Sequence, residues 1–212
     1  MSEKVDYKKK DKELYSLKKT PSIVMVPNMK FIMVDGSGNP NTCKEYKEAM
    51  ELLYGLSYAI KMSKMGEHKL AGYFDYVVPP LEGFWSMGEE TFDGGHSINK
   101  EEFVWTSFIR QPEFVTEEIF CWAKKQLTQK KPDLAIDKAR FVSFEEGLCA
   151  QILHIGPYDD EPKTIRTLSE FIKASGYETD INKIRRHHEI YLGDPRKTAP
   201  EKLKTIIRHP IK

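Results

Sequence analysis

The stretch HHEIYLGDPRKTAPEKLKTIIRHP, residues 187–210, holds two β-strand patterns separated by a loop. HEIYL (188–192) alternates along its length and is stopped by Gly193-Asp194-Pro195. LKTIIRHPI (203–211) is the second strand and the last of the chain. The same ending occurs a hundred residues earlier, where FIRQP at 108–112 mirrors IIRHP at 206–210. FDYVVPP stands before the first copy as HEIYLGDP stands before the second. An internal echo of this kind is the mark of a duplicated unit.

Working outward from the echo, both halves follow one order. Residues 23–34, IVMVPNMKFIMV, form two short β-rich runs broken at Pro27-Asn28, and DGSGNPN (35–41) is a loop. Across 43–64, apolar residues at Tyr46, Ala49, Met50, Leu53, Leu56 and Ile60 have helical spacing. KLAGYFDYVV (69–78) and EEFVWTSFIRQP (101–112) are strand-like, each ended by proline. In the second half, ARFVSFEEGLCAQILHIG (139–156) reads as a hairpin turning at Glu145-Glu146-Gly147. A helix then starts at Asp160–Pro162, presents Ile165, Leu168, Phe171 and Ile172 on one face, and ends at Gly176. Between the halves, Thr116 caps a connector helix over 115–131, with Glu117 and Glu118 at its positive end. The expected fold is α+β: an internal duplication of a ββαββ-like unit, with antiparallel sheets, helices on one face and a shallow cleft between the halves on the other. Residues 1–20 are an N-terminal tail, and 21–212 form a single domain of two repeats (21–112 and 139–212) around the connector.

Composition narrows the function classes. A chain of 212 residues is long enough to bury a sizeable core. A net charge of +1 gives no broad electrostatic case for nucleic acid or an anionic membrane. The basic run YKKKDKELYSLKK is mixed in sign and reads as a solvated tail or first turn. Cys43, Cys121 and Cys149 are odd in number and far apart, which fits free thiols in a reducing compartment. With no apolar signal segment and no membrane-length apolar run, a cytoplasmic protein is expected. About 20 residues precede the first strand, too few for a helix-turn-helix domain, so no DNA-binding domain is expected.

Glu189 is the unusual residue, because glutamate is depleted in strands. Side chains alternate along a strand, so Glu189 and Tyr191 share one face while His188, Ile190 and Leu192 share the other. Ile190 and Leu192 suit a helix-covered core, which turns Glu189 and Tyr191 toward the cleft. A carboxylate there can complement a cation or take a proton from an attacking water. Trp85, Trp105 and Tyr158 are the aromatic residues placed to form the walls, with Trp85 on a Gly-rich flap over 82–102. Each has a plainer alternative. Glu189 can pair with Arg110 or Arg208 across the sheet, Trp85 and Trp105 can be core, and Tyr158 can belong only to the turn before a helix. His154, His187 and His188 do not form a metal motif: HHE is not HExxH, and adjacent strand residues point oppositely. Neither DGSGNPN nor DGGH has a phosphate-loop order.

HIGPYDDEPKTIRTL and HEIYLGDPRKTAPEKLKTIIRHP, with VVPPLEGFW and FVWTSFIRQPEFVTEE in the first half, resemble the GyrI-like small-molecule-binding domain family. The resemblance extends from about residue 20 to 212 and is closest to the stand-alone branch, which includes cyclopropanoid cyclopropyl hydrolases. It implies a tandem duplication of βαββ-type (SHS2-like) units with ligands bound in the cleft between the repeats, and binding of flat aromatic or cationic compounds; ring strain in a cyclopropane substrate leaves little else to supply, so no metal or other cofactor is expected. It also implies hydrolysis of the strained cyclopropane of DNA-alkylating natural products, with Glu189 as the residue most directly supported. From the residues themselves, Glu189 activates water, Tyr191 or Tyr158 donates a hydrogen bond, and Trp85 and Trp105 hold the ligand flat. A non-catalytic drug-sequestering protein and a module that protects a topoisomerase are the alternatives. Paired repeats within one chain remove the need for a dimer.

Overall fold

The computed structural model describes residues 4–66, 70–87, 92 and 99–212. Strands β1 (Ser22–Ser37), β2 (Leu81–Met87), β3 (Phe103–Gln111), β4 (Ala139–Ile155), β5 (His187–Tyr191) and β6 (Lys204–Pro210) close into one barrel in the order β1-β3-β2-β5-β6-β4. Every pairing between these six strands is antiparallel. The helices are α1 (Tyr7–Lys10), α2 (Lys44–Met62), α3 (Glu117–Lys130) and α4 (Glu161–Ala174). The fold is therefore α+β, and each half supplies three neighbouring strands.

The two expected hairpins are instead two long strands. Pro27 does not end β1, because that part of the strand borders β4 only and its pairing with β3 begins at Lys30. A proline on an unpaired edge costs no ladder hydrogen bond. Gly147 takes φ 75°, which bends β4 without ending it. The strand expected over 69–78 is also displaced. From Leu70 to Pro80 the chain makes only a bridge at Tyr76, and Lys69 lies outside the described residues. The first-half partner of β5 is LEGFWSM, just beyond the prolines. Trp85 thus sits on a strand, not a flap; of the remainder of the proposed flap, 88–91 and 93–98 lie outside the described residues.

Closure gives the sheet an inside, and this corrects the expected sidedness. Ile190 faces the barrel interior with Phe84, Phe108, Cys149 and Ile206. Helices α2 and α3 pack on the outer wall through Leu53, Leu56, Ile119 and Ala123 against Ile32, Val34 and Ile109. Helix α4 covers another part of that wall through Ile165, Leu168 and Ile172 against Ala150, Ile152 and Ile207. Glu189 and Tyr191 lie on the same outer side as the helices.

Charged side chains fill the rest of the interior, all with partners. His188 bridges Glu146 and Glu82, with each ring nitrogen 3.0 Å from a carboxylate oxygen. Arg208 donates to Glu146 at 3.3 Å and through Nε to Gln151 at 3.0 Å. Against the cost of burial, the charges of His188 and Arg208 hold Glu146 down at about 2. Against the same cost, Glu146 and Glu82 raise His188 above its usual value. Neither Arg208 nor Arg110, which donates to Asp11 at 2.6 Å, pairs with Glu189 in these contacts.

Nor is the N-terminal segment a solvated tail. Tyr7, Leu14 and Tyr15 are buried in the interior cluster. Arg208 holds the segment by donating to the Leu14 carbonyl at 2.7 Å, and Gln151 donates to that of Glu13 at 2.6 Å. The guanidinium of Arg110 stacks 4.2 Å over the Tyr7 ring.

Candidate functional site

Between the two helix layers, β2 and β5 form the floor of an open cleft of about 1210 Å³. Their register sets Gly83 opposite Glu189, Leu81 opposite Tyr191 and Trp85 opposite His187. On this floor the Trp85 indole N–H donates to the Tyr191 hydroxyl at 2.9 Å, and Tyr191 donates to Glu189 Oε2 at 2.7 Å. The other oxygen, Oε1, lies 3.0 Å from His187 Nε2. Both carboxylate oxygens are therefore held, and the side chain has one orientation. Gly83 makes the arrangement possible. A methyl group there would stand 2.9 Å from Trp85 Nε1 and 3.5 Å from the Tyr191 oxygen.

The walls come from both halves. Tyr46 on α2 leans toward Trp85 with ring centroids 6.2 Å apart. Tyr158, just before α4, sets its ring edge-on to Tyr191 at 5.8 Å. Across the mouth, Lys100 donates to Asp159 at 2.6 Å and ties the first-half wall to the second. Tyr54 and Tyr58 stack at 6.5 Å, extending the aromatic surface outward along α2.

Glu161 brings a second carboxyl group into the cleft from the first turn of α4. A helix N-terminus ordinarily favours the anion. Here burial, followed by the charge of Glu189, pushes Glu161 well above the usual carboxylate range. Burial and then Glu189 likewise push Tyr158 up to about 12 and Tyr191 well above the ordinary phenol value. Both phenols stay neutral and able to donate.

Of the residues singled out in the sequence, the structure brings Trp85, Tyr158, Glu189 and Tyr191 together. Trp105 is apart: it is fully buried, its ring lying against Gly36 and under Tyr46, at 5.0 Å. It supports the wall from behind and does not line the cleft. Tyr191 spends its proton on Glu189, so a ligand does not meet it as a free donor. The sequence reading missed Glu161, Tyr46, Gly83 and His187. Tyr46 fell within the apolar stripe of α2, and Glu161 resembled an ordinary acidic first turn; only a tertiary neighbour reveals either role. His187 was weighed solely as a metal ligand. Among the described residues, no group of three or more His, Cys, Asp or Glu side chains could hold a metal ion.

A fold in which two α/β halves enclose an aromatic, carboxylate-bearing cleft defines a small-molecule-binding protein. The chain belongs to the GyrI-like small molecule binding domain family, whose model matches residues 19–212. It is similar to an uncharacterized conserved protein from Listeria innocua, with 48% identity, TM-score 0.92, and coverage of 99% of this chain and 100% of that one. It is also similar to a structure described as a hydrolase from Listeria innocua, with 46% identity, TM-score 0.89 and the same coverage. The EcmrR C-terminal domain, at 12% identity and TM-score 0.51 over 91% of this chain and 97% of that one, shares the fold. No curated protein matches. No helix among the described residues is long and apolar enough to cross a membrane.

Proposed function

We propose that this protein is a cytoplasmic detoxifying hydrolase that binds flat aromatic or cationic compounds and opens the cyclopropane of DNA-alkylating natural products by adding water. The observation that carries the reading is that Glu189, held by two hydrogen bonds, shares one aromatic cleft with Glu161, whose carboxyl is pushed well above the usual range by burial and by Glu189. Two carboxyl groups whose environments differ in this way divide into a base and an acid. The halves' recurring β-α-β-β order reads as duplicated SHS2-like units, with the cleft at their seam. The hydrolase from Listeria innocua adds support through its likeness over the whole chain.

In this mechanism Trp85, Tyr46 and Tyr158 hold a flat ligand against the floor. Glu189 takes a proton from water as the water oxygen bonds to the cyclopropane CH₂ carbon. The ring C–C bond breaks, and its electron pair moves through the conjugated ring system to a carbonyl oxygen. Glu161 protonates that oxygen, with Tyr158 placed to donate a hydrogen bond to it. Ring strain provides much of the driving force, and the net change is addition of one water.

The test follows a cyclopropane-bearing alkylator of the duocarmycin type by chromatography and mass. Catalytic gain of one water is expected, abolished in Glu189→Gln and strongly reduced in Glu161→Gln while both variants still bind. The breadth of the cleft and the outer Tyr54–Tyr58 stack favour a second reading, a binder that sequesters aromatic compounds. Saturable binding without product in the native protein would establish that reading and refute the hydrolase.

A further inference from the structure

We propose that His209 is a positioning residue that locks His187 in one neutral tautomer and so preserves Glu189 as a base. The inference goes beyond the reading above and rests on it only for its kinetic consequence. His187 and Glu189 are two residues apart on β5 and share its outer face. His209 reaches the same face from β6, and its Nε2 lies 2.8 Å from His187 Nδ1. The line His209–His187–Glu189 is therefore continuous, with steps of 2.8 Å and 3.0 Å. Both rings are buried, with 0% of His187 and 1% of His209 exposed.

The donors follow from chemistry. An ionised carboxylate only accepts, so the proton facing Glu189 sits on His187 Nε2. The remaining nitrogen, Nδ1, faces His209 Nε2, and one of the two must donate. If His209 donates, His187 is neutral and His209 Nδ1 is a bare lone pair. If His187 donates, it is an imidazolium, and a neutral His209 must then carry its proton on Nδ1. That atom is buried with no hydrogen-bond partner among the described residues. An orphaned buried N–H costs more than an unused lone pair, so the first arrangement is favoured. Burial and the neighbouring His187 push His209 well below its ordinary value, so it is neutral in both arrangements.

The groups around His187 admit the same state. Glu189 shares its strand face, His209 comes from β6, and Trp85 stands opposite on β2. The Phe92 ring closes the side at 5.4 Å. An imidazolium at His187 would form an ion pair with Glu189 and make it a poorer proton acceptor. A neutral donor orients the carboxylate without that penalty. Comparable outer-shell partners of metal-bound histidines fix tautomer and ring orientation, and removing one costs roughly tenfold to a hundredfold in affinity or activity.

Two measurements test this. Two-bond ¹H–¹⁵N spectra of the uniformly labelled full chain, at neutral pH and without ligand, should show His187 and His209 neutral and protonated on Nε2. A doubly protonated His187, or a proton on its Nδ1, would overturn the proposal whether or not the protein is a hydrolase. Kinetics with the cyclopropane compound then compare His209→Leu, which removes the donor, with His209→Gln, whose amide N–H can replace Nε2–H. The Leu variant should lose about tenfold in kcat with KM unchanged, and Gln should recover most of it. Equal losses in both variants, tracking their loss of folded protein, would make the histidine pair purely structural and refute the positioning role. If the native protein shows no turnover, the hydrolase reading fails and the spectra alone decide.

Discussion

Replacing Gly83 with alanine tests the geometry of the cleft floor with a single carbon. The backbone at Gly83 is not in the left-handed region, so alanine meets no conformational penalty there. The added carbon would instead stand 2.9 Å from Trp85 Nε1, closer than real Cβ contacts come, and the atom it meets belongs to a rigid indole. Overpacking of this kind costs ~1–3 kcal/mol. Displacing the indole also removes the 2.9 Å hydrogen bond to Tyr191, worth about 1 kcal/mol. Together the loss is about 2–4 kcal/mol. For a domain of this size that lowers the unfolding midpoint by roughly 5–15 °C. Thermal unfolding of the native protein, Gly83→Ala, Trp85→Phe and the double variant forms a double-mutant cycle. Phenylalanine removes the atom with which the new methyl collides. The alanine should therefore cost at least about 1 kcal/mol less in that background. A Gly83→Ala protein within about 0.5 kcal/mol of the native one, or equal alanine costs in both backgrounds, would refute the argument.

Two further outcomes concern the barrel interior. Arg208→Leu should destabilise the fold by about 3–5 kcal/mol, since it leaves Glu146 short of a positive partner and removes the donor to Leu14; chemical denaturation measures this, and a change under 1 kcal/mol would refute it. Stability should also depend on pH from both sides. Glu146 lies below its ordinary value of 4.5, so its contribution is present above about pH 4.5 and is lost as pH falls toward 2. His188 lies above its ordinary value of 6.5, so its contribution is complete below about pH 6.5 and is lost as pH rises through the raised value. Both are in force between about pH 4.5 and 6.5. Replacing His188 with glutamine should flatten the alkaline limb of a denaturation series, and an unchanged limb would count against the assignment.

The recurring pattern around FIRQP and IIRHP made the α+β class legible, because local periodicity and turn residues carry that information. Alternation alone also placed Glu189 and Tyr191 on one face of β5. Closure into a barrel was not legible. It depends on β2 pairing with β5 and β1 with β4, and pairing between distant strands leaves no local mark. For the same reason the side of the sheet that becomes the interior was misjudged. Pro27 read as a turn because sequence does not say that its strand edge is unpaired. Trp105 read as a wall residue because a tryptophan behind a wall has the same pattern as one in front. Glu161 escaped because its raised carboxyl pKa is set by burial and by a neighbour on another element, Glu189.

The closed order β1-β3-β2-β5-β6-β4 also bears on how the chain is made. When the first half has left the ribosome, β1 and β2 are the two outer strands of an incomplete sheet, with their backbone groups unpaired on one side. They find partners only when β4 and β5 follow, and the Leu14 carbonyl waits 194 residues for the Arg208 side chain that holds it. Such distant pairings form late and slowly, and open edges invite another copy in the meantime. Truncation after the connector helix would make that interval permanent, leaving a fragment that joins other chains through its edges.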